Sequence, residues 1–179
     1  MFGFTKPSVA NFRADYAGHN DFCHVFKRDM KALYLLAFLL TGNHKESEQC
    51  FVDTIEEAFK KQAVFKDWVE SWVRRSLIKN AIHVVSPSTA RNGEKRDLWG
   101  VRQGDTQREC EIDTVTKLDP LERFVFVMSI LEHHSDWECA RLLGCKMDEV
   151  AQLQMKALCC LADFGAVDTP FNGHLLPSG

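Results

Sequence analysis

Two stretches decide the fold: Leu-Asp-Pro-Leu-Glu-Arg-Phe-Val-Phe-Val-Met (118–128) and Ser-Asp-Trp-Glu-Cys-Ala-Arg-Leu-Leu-Gly-Cys (135–145). Pro120 stands where a first-turn proline is tolerated, because the amide it lacks would have no partner there. Leu121, Phe124, Val125, Met128 and Leu131 then recur at helical spacing and predict one buried stripe. His133-His134 breaks the apolar pattern. Ser135 with Glu138 reads as a capping box, and Cys139, Leu142 and Leu143 fall on one face of the short helix that comes next. Gly144-Cys145 reads as a tight turn. Asp148 and Glu149 open a last helix, with Val150, Leu153, Ala157, Leu158 and Leu161 as its expected buried stripe. A supporting helix, a short helix, a glycine turn and a further helix make up the helix-turn-helix pattern. Its second helix has the reach to read base edges in a major groove. A plain helical bundle uses the same periodicity, so the pattern alone leaves both open.

Residues 21–85 also read as helices. Leu33, Leu36, Ala37 and Leu40 share a face, and Thr41-Gly42-Asn43 ends the run with a glycine placed for a left-handed cap. A second helix runs from Glu46 to Lys61, with Cys50, Phe51, Thr54, Ile55, Ala58 and Phe59 as its stripe. A third starts near Asp67, where Glu70 suggests a capping box, and carries Trp68, Trp72, Val73 and Leu77. Between the helical stretches, residues 86–111 hold Pro87, Gly93, Gly100 and Gly104, with opposite charges that cancel and little periodicity. So long a structureless run predicts a boundary between modules. The expected fold is all-α: a helical domain over 21–85, a polar linker over 86–117, a helix-turn-helix domain over 118–162 and a flexible tail over 163–179.

Composition narrows the function. The chain has 179 residues, is 45% hydrophobic and 26% charged, and carries a net charge of −3, as an ordinary globular protein does. No apolar run reaches the ~20 residues of a membrane span, and the start shows no secretory pattern, so a cytoplasmic protein without membrane attachment is expected. The seven cysteines form no C-x-x-C pair. His133, His134, Cys139 and Cys145 have no common zinc spacing, so no metal is expected, and Cys139 and Cys159 read as small hydrophobes. His133-His134 beside Asp136 is the nearest thing to an acid–base cluster, with no nucleophile, phosphate loop or metal spacing beside it. No enzyme, cofactor or small-molecule substrate is expected.

The quoted stretches resemble region four of bacterial RNA polymerase sigma factors, and among them the small extracytoplasmic-function (ECF) type. The opening Leu118-x-Pro120-x-x-Arg123 matches that family's entry into its helix-turn-helix. Leu-Tyr-Leu-Leu-Ala-Phe-Leu-Leu-Thr-Gly-Asn (33–43) resembles the start of region two, and Trp68 and Arg74 stand where the family's promoter-melting helix has a tryptophan and an arginine. The resemblance implies a transcription initiation factor that binds core RNA polymerase and promoter DNA, with an anti-sigma factor as a further partner. Polymerase contact would fall to Glu46, Glu48, Gln49 and Asp53. DNA contact would fall to Trp68, Arg74, Arg75 and Lys79 in the first domain, and to Lys146, Glu149, Gln152 and Lys156 in the second.

The sequence departs from the family in three places. After Glu48 the polymerase-facing helix reads Gln49, Cys50, Phe51 and Val52 in place of the family's aspartate-leucine-valine-glutamine core. The loop between this helix and Trp68 is shorter than the family's. From Leu121 to Leu161 four basic residues face six acidic ones, a net of −2 that opposes phosphate binding. These departures keep an alternative in play: a sigma-derived interaction module that has lost DNA binding and regulates through a protein partner.

Overall fold

The computed structural model describes residues 16–60, 64–86 and 107–167, with side chains described to residue 162 and, in the last stretch, from residue 112. Within these residues the chain is all-α, with an isolated antiparallel bridge between Tyr16 and Phe65. The helices are α1 (His19–Thr41), α2 (His44–Lys60), α3 (Val69–Val85), α4 (Gln107–Thr116), α5 (Pro120–Phe126), α6 (Asp136–Leu143) and α7 (Met147–Val167). Residues 87–106 of the expected linker and 168–179 of the expected tail lie outside the described residues. The linker's residues 107–116 are helical as α4. This helix has no amphipathic period to betray it, so the composition alone reads as loop.

The chain divides into two compact units. Among the described residues, the first comprises 16–38, 43–60 and 64–84, and the second 39–42, 85–86 and 107–167. In the first unit, Phe22 of α1 sets its ring edge against Trp72 of α3 at 5.4 Å, and Phe26 of α1 does the same against Phe51 of α2 at 5.9 Å. Asn80 of α3 donates to Thr54 Oγ1 of α2 at 3.1 Å. Around these contacts Leu33, Leu36, Cys50, Ala58, Val73, Leu77 and Ile78 are buried. Asn43 caps α2 by accepting the Glu46 amide at 3.0 Å on its side chain. The capping box expected at Asp67 does not form: residues 66–68 make a 3₁₀ turn after an extended Phe65, with no side-chain cap.

In the second unit α5 packs most extensively on α7, and α6 packs on α7 as well. Every residue from Leu121 to Met128 is buried, including Glu122 and Arg123, so α5 is enclosed on all sides rather than along one stripe. The helix then widens into a π turn over Val127–Leu131, closed by the Glu132 amide donating to the Val127 carbonyl at 2.9 Å. A π turn adds a residue to the α repeat and rotates the rest of the helix about its axis. That rotation exposes Leu131, which strict helical spacing places in the buried stripe.

Ser135 caps α6 as expected by accepting the Glu138 amide at 3.3 Å, and the Glu138 carboxylate meets His134 Nδ1 at 2.9 Å. Gly144 ends α6 in the left-handed conformation, φ 65°. Arg123 is 6% exposed. Its guanidinium donates to the carbonyls of Leu40 at 3.1 Å, Thr41 at 3.0 Å and Thr116 at 3.0 Å. Carbonyls at the end of α1 and at the end of α4 are thus satisfied by one side chain.

Candidate functional site

The first surface lies where α3 begins. Tyr16 pairs with Phe65 through the bridge, and the Ala17 amide donates to the Val64 carbonyl at 2.7 Å. This brings the Tyr16 and Phe65 rings into a stack, 4.9 Å between centroids with planes 20° apart, while Trp68 meets Phe65 edge-on at 5.3 Å. All three rings are exposed, Trp68 by 62%. An open groove of about 470 Å³ is lined by Phe65, Lys66, Asp67 and Trp68. Trp72 is half-buried against Phe22, so the two tryptophans of α3's entry divide between surface and core. The sequence points to Trp68 alone. Tyr16 and Phe65 join it through a backbone pairing between distant parts of the chain, which no local pattern carries.

Along α3, Arg74 and Arg75 are half-buried and Lys79 is exposed. Arg74 lies 3.9 Å from Glu70, whose other oxygen accepts from Arg28 at 2.5 Å. Arg28 is held charged chiefly by Asp29 and then by Glu70, and it keeps the Asp29 carboxyl below the usual carboxylate range. The basic edge is therefore partly committed to its own carboxylates. On α2, Glu48 and Gln49 are exposed and Glu46 and Asp53 half-buried, with Gln49 donating to Asp53 at 2.7 Å. Exposed Val52 stands among them, giving this face an apolar centre in an acidic field.

In the second unit the four expected DNA contacts on and before α7 behave differently from one another. Lys146 and Gln152 are exposed. The Glu149 carboxylate is taken by its own helix start, accepting the Lys146 amide at 2.9 Å. Lys156 forms an ion pair with Glu122 of α5, a carboxylate only 5% exposed, and that bond holds the lysine charged above its ordinary range. The buried stripe of α7 is narrower than its sequence predicts. Val150 and Ala157 are buried, Leu153 and Leu161 half-buried, and Leu158 is exposed. Cys159, expected to fill an apolar position, is exposed too, while Cys139 is buried. Leu158 turns away from the side that Ala157 buries, because adjacent helical residues point about 100° apart.

Among the described residues, no helix is long and apolar enough to cross a membrane. No family model matches the chain, and no curated protein does. Among solved structures, the chain is similar to the sigma factor RpoE, crystallised in complex with the anti-sigma factor NepR from Bartonella quintana. The identity is 19% and the TM-score 0.51, covering 84% of this chain and 99% of that one. The fold of this chain is therefore sigma-factor-like over nearly the whole of that protein.

Proposed function

We propose that the chain is a transcription initiation factor of the sigma type, binding core RNA polymerase through α2 and promoter DNA through the aromatic ledge and basic edge of α3. It would work in the cytoplasm with no chemistry of its own. The observation that carries the reading is the sigma-like fold along almost the full length of the structural neighbour. On this reading residues 21–85 serve as the region-two domain, 86–117 as the linker, 118–162 as region four and 163–179 as a tail. The three exposed rings at Tyr16, Phe65 and Trp68 suit unpaired bases, whose faces stack on aromatic side chains without regard to sequence. The acidic face of Glu46, Glu48, Gln49 and Asp53 suits a basic helix on the polymerase. The neighbour binds an anti-sigma factor, and a partner of that kind is part of the proposal for this chain.

The test is a sizing column run with purified chain and core polymerase from a related bacterium. Stoichiometric co-elution, abolished by Glu48→Lys with Asp53→Lys, is the expected result. Separation at low salt, with the chain folded by circular dichroism, would overturn the reading.

One observation favours a second reading, in which the chain is an interaction module that regulates through a protein partner. The helix that would read the major groove commits Lys156 and Glu149 to internal bonds and turns apolar residues outward. Co-elution with polymerase but no change in transcription when Lys146 and Gln152 are replaced by alanine would support it.

A further inference from the structure

The outward face of α7 is an apolar stripe. Met147, Ala151, Met155, Leu158 and Ala162 are all exposed, and they succeed one another at intervals of three or four residues, which places them along one face of the helix. Met155 is 64% exposed. Single exposed hydrophobes are ordinary, but an aligned run over four turns marks a surface for a partner. Methionines at two of its positions give the stripe adaptable side chains, as on surfaces that accept helices.

The rim says what kind of partner. Asp148, three residues before Ala151 and seven before Met155, borders one edge and is exposed. The other edge carries Gln154, whose amide donates to Asp136 of α6 at 2.8 Å, so that Asp136 borders the stripe there. The helix's own cation, Lys156, points away from the stripe and is held by Glu122. A carboxylate thus flanks the apolar stripe on each side. Phosphates of DNA or of an anionic membrane would meet that rim unfavourably. A second copy fares no better. Antiparallel self-pairing about the centre of the stripe brings Gln154 against its counterpart, and with it Asp136 against Asp136.

We infer that the outward face of α7 docks an amphipathic helix of another protein, one that lays an apolar stripe on Met147, Ala151, Met155 and Leu158 and sets basic residues on Asp148 and Asp136. This surface is independent of the sigma reading. Where α7 also touches DNA, helix and duplex exclude one another, and docking becomes a means of regulation.

The probe is a fluorescein-labelled synthetic helix of about 18 residues, long enough to match the stripe at 1.5 Å per residue, with leucines at heptad spacing and lysines along both edges. Two controls accompany it: the same helix with glutamate for lysine, and the lysine peptide with its order scrambled. Binding to the full chain is followed by anisotropy. The basic amphipathic helix is expected to bind at least tenfold more tightly than either control, and Met155→Asp is expected to weaken it by tenfold or more with the circular dichroism spectrum unchanged. Met155→Asp makes the protein more acidic, so unspecific attraction of the lysine peptide would strengthen. Unchanged or tighter binding to that variant overturns the inference. So does a chain that elutes as a dimer which Met155→Asp dissociates, or a DNA duplex whose binding Met155→Asp abolishes. Asp136→Lys with Asp148→Lys should invert the preference toward the glutamate helix, and an unchanged preference also overturns the inference.

Discussion

Arg123 joins carbonyls near and far along the chain, Thr116 seven positions away and Leu40 83 positions away. The buried guanidinium supplies donors in several directions at once, to carbonyls at the end of α1 and of α4. Arg123→Met should strip these acceptors of their partners and cost about 2–5 kcal/mol, measured as a fall in the urea midpoint with unchanged slope. Arg123→Lys, with one ammonium for divergent acceptors, should recover less than half. Gly42 takes part in the same arrangement. Its φ is +75°, and a Cβ there would lie 2.9 Å from Arg123 Nη1, so only glycine leaves the guanidinium its place.

The buried thiols set a limit at the alkaline end. Burial, reinforced by Asp53 and Glu46, pushes Cys50 up to about 12, and burial with Asp136 pushes Cys139 up to about 11. Both start from 9.0 in the unfolded chain. A raised value means the folded state holds its proton more tightly. The stability this brings is complete below pH 9 and is lost as the pH climbs toward 11 and 12. The melting temperature should therefore fall between pH 9 and 11, and fall less in Cys50→Ala with Cys139→Ala. A thiol reagent at neutral pH should modify exposed Cys159 quickly and leave Cys50 and Cys139 untouched until the protein unfolds.

Among the elements, α5 and α7 share the Glu122–Lys156 ion pair. The lysine is largely in water, but the carboxylate is buried, so removing only one partner is the damaging change. Lys156→Met should cost about 1–3 kcal/mol. Adding Glu122→Gln should return part of that loss, and the double-mutant cycle reads the coupling. The entry to α3 carries the opposite expectation. Trp68→Ala removes an exposed ring and should alter stability by no more than ~0.5 kcal/mol. It should weaken capture of an unpaired strand by about 1–3 kcal/mol, read by the fluorescence of 2-aminopurine in a polymerase–promoter complex. Tyr16→Ala should show the same split if the bridge sets the ledge.

These elements also show what the chain's own order reveals. Pro120, Ser135, Gly42 and Gly144 mark helix ends through rules spanning four residues, and each stands in the structure where its type predicts. Lys156 looks like a phosphate contact in the sequence because its partner lies 34 positions away. Leu131 leaves the buried stripe because a π turn changes the period without changing composition. The aromatic ledge rests on a backbone pairing at long range, and α4 lacks the apolar period that reveals a helix. Local chemistry is legible in sequence, whereas pairings across the fold are not.

At the scale of the molecule, each compact unit has its own candidate surface. The first offers rings and an acidic helix, and the second an apolar helix with an acidic rim. Binding at one unit can therefore be separated from binding at the other by variants confined to each. Glu48→Lys with Asp53→Lys should abolish polymerase co-elution while leaving the basic helical peptide bound to α7, and Met155→Asp should do the reverse. Loss of both by either variant would show that the surfaces are not separable.

Trp68 and Trp137 extend this separation to spectroscopy. Trp68 belongs to the first unit and Trp137 to the second, and both indoles are more than half exposed. Arg141 lies over Trp137 with its guanidinium carbon 5.1 Å from the ring centroid, while Trp68 rests edge-on against Phe65. Each unit thus has an exposed indole. With Trp72 and Trp99 also replaced by phenylalanine, Trp137→Phe leaves Trp68 as the one indole, and its acrylamide quenching should report on ligands that cover the ledge. Trp68→Phe on the same background leaves Trp137, which should report on events beside α6. Either single-tryptophan chain can be titrated with either class of partner, and the indole that becomes shielded would tell which half had been occupied.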